Sequence, residues 1–179
     1  MTQPPASLPA RPEAPLDASL PRRLGALLYE ALLLTAIEFI VGFLTLPLVS
    51  PSPRGAGPEL IVPNHTARAF LFVAMVGVAG AYLIHGWTRG RRTLPQKTWR
   101  MRLIGPDGEP PHLHRALLRY IAAFVGPLLA LVGYLLLRRA GLGAFALWLV
   151  GFNYLWALVD PDRRFLHDRI AQTRLIRSP

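Results

Sequence analysis

The sequence predicts an all-α membrane protein with four transmembrane helices, a cytoplasmic middle loop and a short amphipathic C-terminal helix. The chain of 179 residues is 52% hydrophobic. Four apolar runs have about the length that crosses a bilayer: Leu24–Val49, Ala69–Trp87, Ala116–Leu137 and Leu142–Val159. The only charged residues inside these runs are Glu30, Glu38 and Arg119. The alternative, a soluble bundle of very apolar helices, would not separate charged from apolar residues so completely.

The distribution of basic residues predicts the orientation. Most of the 20 Lys and Arg residues lie in the two terminal segments and in the loop from Thr88 to Arg115, whereas the other two loops hold few. Because Lys and Arg favour the cytoplasmic side, both termini and the middle loop are expected there, in the bacterial inner membrane. The adjacent Arg138 and Arg139, in one of the other loops, are the weakest part of this prediction.

The N-terminal segment differs in composition from the rest. Residues 1–21 contain six of the 18 prolines and few clustered aliphatic residues, which predicts a disordered cytoplasmic tail. The membrane domain is then expected over residues 22–179. Its first apolar run begins after this tail and has full span length, so it predicts a retained helix rather than a cleaved signal.

Shorter patterns predict structure between and within the apolar runs. Trp99, Met101 and Leu103 alternate with arginines, which indicates a strand, and Gly105–Glu109 is typical of a turn. A second β-prone run, Thr173–Ile176, is expected to pair with the first strand.

Two further patterns concern helix bounds. Asp160 and Pro161 predict the start of a helix that runs to about Ala171. Gly126 followed by Pro127 predicts a kink in the third transmembrane helix, with a freed backbone carbonyl.

Several function classes find no support in the residues. The chain has no cysteine, which excludes disulfides and thiolate metal sites, and it lacks a nucleophile elbow and a phosphate-binding glycine loop. His112 and His114 have no third ligand at convincing spacing. We therefore expect no enzyme activity, no cofactor and no metal site. The net charge of +10 is concentrated beside the membrane, so we expect contacts with anionic lipid head groups rather than with nucleic acid.

Three separated segments carry a family resemblance: Pro21–Glu30 (PRRLGALLYE), the stretch from Thr93 to Tyr120 with its DGEP turn and RALLRY, and Phe165–Ile176 (FLHDRIAQTRLI). In this order they resemble the RDD family of bacterial membrane proteins, which is named for one Arg and two Asp residues. The matching residues are Arg23, Glu30 and Asp168. The resemblance covers the chain from about residue 21 to residue 177.

The chain also departs from the family pattern. Glu30 replaces the usual Asp of the first helix, and Gln96 and Gln172 stand where Gly is usual. A close backbone approach that Gly would permit is not expected at these two positions. The resemblance implies transport of unidentified ligands, with sodium/proton exchange proposed for some members.

The charged residues within the membrane region predict a cluster. Arg23 and Glu30 share one helix face, with a rise of roughly 10 Å between them. Arg119 is expected to pair with Glu30, and Asp168 to neutralise Arg23. This four-residue cluster would close the cytoplasmic end of the bundle. In the alternative interpretation these charges only fix helix register and depth.

Glu38 is the principal candidate ion or proton site, together with Glu30. It lies roughly 21 Å along the first helix, where an ionised carboxylate needs a partner, water or a proton. Asn153 and Tyr134 are the predicted hydrogen-bond partners. A neutral Glu38 could instead hold helices together by a hydrogen bond.

Small residues four apart predict close helix packing within or between chains: Gly77 with Ala81, and Ala122, Gly126 and Ala130. From the embedded carboxylates and the family resemblance, we expect a small ion-coupled transporter of the sodium/proton type, or a solute transporter. It is expected to form a homo-oligomer, because four helices alone make a thin pathway. The alternative is a non-transporting scaffold that assembles another membrane complex.

Overall fold

The computed structural model describes residues 16–49 and 64–178. The helices are α1 (Leu20–Val49), α2 (His65–Trp87), α3 (Leu94–Thr98), α4 (Leu113–Ala122), α5 (Val125–Leu137), α6 (Phe152–Leu155) and α7 (Leu166–Ile170). The strands are β1 (Met101–Ile104) and β2 (Arg174–Arg177). Three 3₁₀ segments cover Arg138–Ala140, Gly143–Gly151 and Trp156–Leu158.

Three helical stretches are long and apolar enough to cross a membrane: Leu20–Leu48, His65–Trp87 and Leu113–Ala140. They correspond to the first three predicted runs, and each begins a few residues earlier than predicted. The fourth predicted run contains a shorter apolar helical segment, Gly143–Leu158, which is mostly 3₁₀ rather than α-helical. The structure therefore confirms a mostly helical membrane protein with three spans of full length.

The carbonyl freed by Pro127 in the third span is confirmed. The α-helical hydrogen-bond pattern is interrupted at Ala123 and Phe124, between α4 and α5, although both residues keep right-handed helical backbone angles. Since proline has no N–H, the carbonyl of Ala123 loses its helical donor. The side-chain amide of Asn153 donates to this carbonyl at 2.7 Å and to the carbonyl of Ala122 at 3.2 Å. The predicted hydrogen bond from Asn153 to Glu38 is therefore wrong, because the Asn153 amide donates to these two carbonyls instead.

The two strands pair as predicted. β1 and β2 are antiparallel, with Met101 opposite Arg177 and Ile104 opposite Arg174. The turn after β1 is closed by the Gly105 N–H, which donates to the Glu109 carbonyl at 2.7 Å. We call the end of the molecule that carries this sheet the strand end.

Residues at the start of the described chain also join the strand end. The Ala18 N–H donates to the Leu175 carbonyl at 2.9 Å, and the Arg177 N–H donates to the Leu16 carbonyl at 3.0 Å. Residues 16–21 were predicted to belong to the disordered tail. Instead, residues 16–19 pack at the strand end, and residues 20 and 21 begin α1. Residues 1–15 of that tail lie outside the described residues.

A small apolar core fills the strand end. Its buried members come from both strands and from the adjoining helix ends: Ala18, Ala26, Trp87, Met101, Leu103, Ala116 and Leu175. The alternation that predicted β1 places Met101 and Leu103 in this core, while Arg102 is exposed. The core fixes the ends of α1, α2 and α4 relative to one another, and α1 and α4 carry three of the four charged residues described below.

The predicted C-terminal helix is shorter than expected. It was predicted from Asp160, but α7 begins only at Leu166. The Asp160 carboxylate accepts hydrogen bonds from the backbone N–H groups of Asp162 (3.1 Å) and Arg164 (3.0 Å), which closes a turn. Arg163 in this turn has a left-handed φ of 51°, which is incompatible with a continuous right-handed helix. The predicted amphipathic helix is thus replaced by a turn and five helical residues.

Candidate functional site

The four residues of the predicted charge cluster lie at the strand end. Arg23 and Glu30 are on α1, Arg119 is on α4 and Asp168 is on α7. A cavity of about 170 Å³ opens between these elements, and we call it the charge cavity. Its polar lining comprises Arg23, Glu30, Gln96, Arg119, Tyr154 and His167. Asp168 lies behind this lining and is bonded to Arg119.

Arg119 and Asp168 form a buried ion pair. Arg119 Nη1 donates to Asp168 Oδ1, and the two side chains are only 6% and 1% exposed. Thr173 Oγ1 lies 3.4 Å from Arg119 Nη1 and from Asp168 Oδ1. The guanidinium carbon of Arg119 also lies 4.7 Å from the centre of the Trp87 ring, which gives a cation–π contact. The positive charge of Arg119 is therefore compensated inside the protein.

Arg23 holds two chain segments together through backbone carbonyls. Its Nε donates to the Ala18 carbonyl at 2.6 Å, and its Nη1 donates to the Arg163 carbonyl at 2.9 Å. The Arg163 carbonyl belongs to the turn that Asp160 closes. Arg23 thus joins the start of α1 to the segment that precedes α7.

Both predicted pairings are wrong. Arg119 bonds Asp168 rather than Glu30, and Arg23 bonds carbonyls rather than Asp168. The physical reason is the position of α7, which places Asp168 against α4 instead of against the start of α1. Glu30 is left beside both arginines in the charge cavity without a direct ion pair to either among the described residues.

Glu30 has one satisfied and one unsatisfied carboxylate oxygen. Its Oε2 accepts a hydrogen bond from the hydroxyl of Thr93 at 2.9 Å. Its Oε1 is buried and has no hydrogen-bond partner in the described part of the chain. The Tyr82 hydroxyl makes no hydrogen bond of standard geometry within the described residues, but it lies close enough to interact with this carboxylate as a hydrogen-bonding neighbour. The site could therefore accommodate a proton or a small cation at Glu30 Oε1.

Sequence reasoning missed Thr93, although a local signal was present. Thr93 and Gln96 form the T-x-x-Q pattern of a capping box at the start of α3. The Thr93 N–H donates to Gln96 Oε1 at 3.1 Å. Gln96, where Gly is usual in the family pattern, is buried and lines the charge cavity. Its side chain fixes the turn that aims the Thr93 hydroxyl at Glu30.

Gln172 occupies the other position where Gly is usual. Its φ is 54°, in the left-handed region that Gly adopts without cost. The side-chain oxygen of Gln172 accepts a hydrogen bond from Arg115 Nη1 at 2.8 Å. A left-handed backbone is costly for a residue with a side chain, and this hydrogen bond offsets part of the strain.

His167 is a second buried titratable group that faces the charge cavity. Its ring packs against Tyr154 and Phe165, with centroid distances of 5.9 and 5.6 Å. Burial, and then the positive charge of Arg119, lower the pKa of the His167 imidazole well below 6.5. The imidazole is therefore neutral at physiological pH. Its Nδ1 is buried without a partner among residues 16–49 and 64–178.

The turn that positions Arg163 carries an ionised carboxylate. Burial raises the pKa of the Asp160 carboxyl, but the Arg164 and Asp162 N–H donors and the charges of Arg169 and Arg164 lower it more, so the net pKa lies below 3.8. Arg169 Nε is 3.5 Å from Asp160 Oδ1. This turn therefore remains charged and hydrogen-bonded at physiological pH.

Glu38 lies apart from the cluster, about 12 Å further along α1 than Glu30. It borders an open apolar groove between α1 and α2, whose lining includes Phe39, Gly42 and Met75. Neither carboxylate oxygen of Glu38 has a hydrogen-bond partner among the described residues. The predicted partner Tyr134 packs instead beside Gly143.

Comparison with known proteins identifies the family of the chain. The pattern of the RDD family matches residues 18–172. No curated protein and no solved structure matches the chain significantly. The matched range begins where the chain joins β2 and includes three helices of membrane-spanning length together with Arg23, Glu30 and Asp168. This chain, a multi-pass membrane protein, therefore belongs to the RDD family.

Proposed function

We propose that this protein is a small ion-coupled transporter of the sodium/proton type in the bacterial inner membrane. Glu30 binds the exchanged proton or cation, and Glu38 provides a second carboxylate further along α1. The proposal assigns no enzymatic reaction, cofactor or nucleic-acid partner. Because four helices enclose little space, the transporting unit is proposed to be a homo-oligomer.

The observation that carries the proposal is the half-satisfied carboxylate of Glu30. An ionisable group within a membrane span is costly unless it is paired, hydrated or protonated. Here one oxygen accepts a hydrogen bond from the Thr93 hydroxyl, and the other makes none of standard geometry in the described residues, although the Tyr82 hydroxyl is its neighbour. Arg119 is already paired with Asp168, so it does not hold Glu30 permanently in the ionised form. Glu30 can therefore gain and lose a proton as a cation leaves and enters.

The proposed topology has four spans, with both termini and the middle loop in the cytoplasm. Support comes from the strand end, where residues 16–18, β1 and β2 meet. The chain must therefore return to this end after α5. The segment Gly143–Leu158 is mostly 3₁₀, which rises about 2.0 Å per residue, and so reaches about 30 Å, the thickness of the hydrocarbon core. The excess of Lys and Arg at the strand end supports a cytoplasmic location.

A flux assay tests the transport proposal. The purified protein is reconstituted in liposomes with a pH-sensitive dye inside, and sodium or potassium is added outside. Wild-type protein is expected to move protons against the cation, whereas Glu30→Gln should abolish the flux because the amide cannot exchange a proton. Glu109→Gln is the matched control, because Glu109 is an exposed acid outside the spans. Unchanged flux in the Glu30 variant would refute the role of Glu30.

Thr93 provides a second, milder test of the same site. Thr93→Ser retains the hydroxyl that donates to Glu30, and Thr93→Val removes it at nearly the same volume. We expect the valine variant to shift the pH at which flux is half-maximal and the serine variant to leave it unchanged. Equal pH profiles for the three proteins would argue against a functional Thr93–Glu30 contact.

A scaffold that assembles another complex is the second candidate, and the groove beside Glu38 favours it. Gly42 lines this groove, and a methyl group added there would have no described atom within 4 Å apart from its own helix backbone and chain neighbours. A partner helix could approach closely at this glycine and cover Glu38.

Because the chain has no cysteine, a Glu38→Cys variant can distinguish the two functions. A transporter needs a water path to this position, so a membrane-impermeant maleimide should label it in native membranes. A scaffold partner would protect it from the reagent. Ile40→Cys, at nearly the same depth but outside the groove lining, serves as the control for position in the membrane.

A further inference from the structure

A cleft of about 740 Å³ lies between the end of α2 and the start of α4, separate from the charge cavity. The polarity of its lining changes along its length. The part within the spans is mostly apolar, with Ala81, Ile84 and Leu113 beside His85, whereas the part beyond them carries Arg89 and Arg91. Both span ends adjoin the cleft, so it crosses the boundary between hydrocarbon and water.

The two arginines are held on a tight turn. The Arg91 N–H donates to the Thr88 carbonyl at 3.0 Å, and the two residues inside the turn, Arg89 and Gly90, have left-handed φ values of 55° and 72°. A left-handed arginine is costly compared with glycine. Thr88 anchors the turn, since its hydroxyl donates to the Ile84 carbonyl at 3.0 Å. The fold thus maintains a strained turn that places two arginines at the polar part of the cleft.

These arginines differ from those near α7. Arg164 and Arg169 form ion pairs with Asp162 at 2.8 and 2.9 Å. Arg89 and Arg91 make no ion pair or side-chain hydrogen bond within the described residues. Glu109 also lines the cleft and carries the opposite charge, so the lining retains a net positive charge. The turn therefore offers two guanidinium groups to an external anion.

We propose that this cleft binds an anionic phospholipid, with its phosphate on Arg89 and Arg91 and an acyl chain along Ala81, Ile84 and Leu113. Charge complementarity selects the phosphate, and the apolar half selects a molecule with a hydrocarbon chain. A soluble phosphate compound would leave the apolar half unused. The sequence predicts only a general contact of the basic loop with head groups, whereas the cleft defines one site.

Native mass spectrometry of the full-length protein in a neutral detergent tests this site. The probes are phosphatidylglycerol, phosphatidylcholine and soluble glycerol phosphate. We expect wild-type protein to retain phosphatidylglycerol selectively, and the double variant Arg89→Gln/Arg91→Gln to bind it about 30-fold more weakly, since each arginine contributes about fivefold. Arg138→Gln/Arg139→Gln is the matched control. These exposed arginines follow α5, at the end of the third span opposite to the cleft.

A second variant tests the apolar half without changing charge. Ala81→Trp should fill the cleft and weaken phosphatidylglycerol binding. Glycerol phosphate binding equal to that of the lipid would show that the site takes free phosphate and would overturn the proposal. Equal losses in the two double arginine variants would also overturn it, because binding would then depend on general charge. Since the readout is binding, the result is independent of whether the protein transports ions.

Discussion

The buried ion pair between Arg119 and Asp168 couples the contributions of these two residues to the free energy of unfolding. Removing one partner leaves a buried charge uncompensated, which typically costs about 3–5 kcal/mol. Arg119→Met and Asp168→Leu should each lower the free energy of unfolding by that amount in detergent. The double variant should lose less than either single variant, because no charge then remains buried. Chemical or thermal unfolding followed by tryptophan fluorescence measures all four proteins.

An exposed ion pair gives the control for this prediction. Arg164 and Asp162 are 25% and 45% exposed, so Arg164→Gln should cost no more than about 1 kcal/mol. If the losses of the two buried single variants simply add in the double variant, Arg119 and Asp168 are not energetically coupled.

His167 should make stability depend on pH in the mildly acidic range. Its folded-state pKa lies well below 6.5, whereas the unfolded imidazole is protonated below about pH 6.5. The stabilisation is therefore complete above that pH and is lost as the pH falls, by up to about 1.4 kcal/mol per unit. Unfolding measured between about pH 7.5 and 5 should show this slope. His167→Phe, which preserves ring packing, should flatten it, while the exposed His114→Gln should not.

The sequence predicted which charged residues matter but not how they pair. Arg119 and Glu30 were identified from their position in apolar runs, because charge within a membrane span must be compensated. The partner of Arg119 depends on where α7 packs, and no local pattern specifies that. The same limit applies to Trp87, which contacts the Arg119 guanidinium across 32 positions of sequence. Thr93 could have been found, since its capping pattern is local.

At the level of helices, Gly126 determines how closely α5 approaches the segment Gly143–Gly151. A Cβ atom at Gly126 would lie 2.4 Å from the Val150 carbonyl oxygen, and backbone atoms cannot yield as a flexible side chain can. We expect Gly126→Ala to destabilise the protein by about 1–3 kcal/mol. Gly77→Ala is the matched control, because no described atom lies within 4 Å of the added methyl group. Comparable melting temperatures for the two variants would contradict the close approach.

Elements specified by local pattern were predicted better than elements shaped by long-range contacts. The alternation around Met101 predicted β1, and Pro127 predicted the break before α5, since both effects act within a few residues. The helix expected from Asp160 was wrong because the carboxylate caps a turn instead of a helix. The 3₁₀ geometry of Gly143–Gly151 had no sequence signal, because its apolar residues fit several helical periods equally well.

Across the whole molecule, polar chemistry and apolar surface are segregated. The strand end contains the two strands, the ion pair and the charge cavity, and its buried residues link the first and last described segments of the chain. The rest of α1, α2 and α5 exposes large apolar side chains, as expected for contact with lipid. Glu30 lies at the transition between the two regions, where a proton or cation could pass between them.

Because β1 and β2 pair at the strand end, the sides of the membrane on which the loops lie can be predicted and measured directly. If Gly143–Leu158 crosses the membrane, the C-terminus lies on the same side as the loop before α4. Single cysteines introduced for Ser178, Arg102 and Arg138 should then fall into two groups. In intact spheroplasts, an impermeant maleimide should label only the Arg138→Cys variant, and all three variants should react once the membrane is permeabilised. Labelling of Ser178→Cys but not of Arg102→Cys without permeabilisation would show that the two strands lie on opposite sides of the membrane, and the β1–β2 pairing would then be impossible.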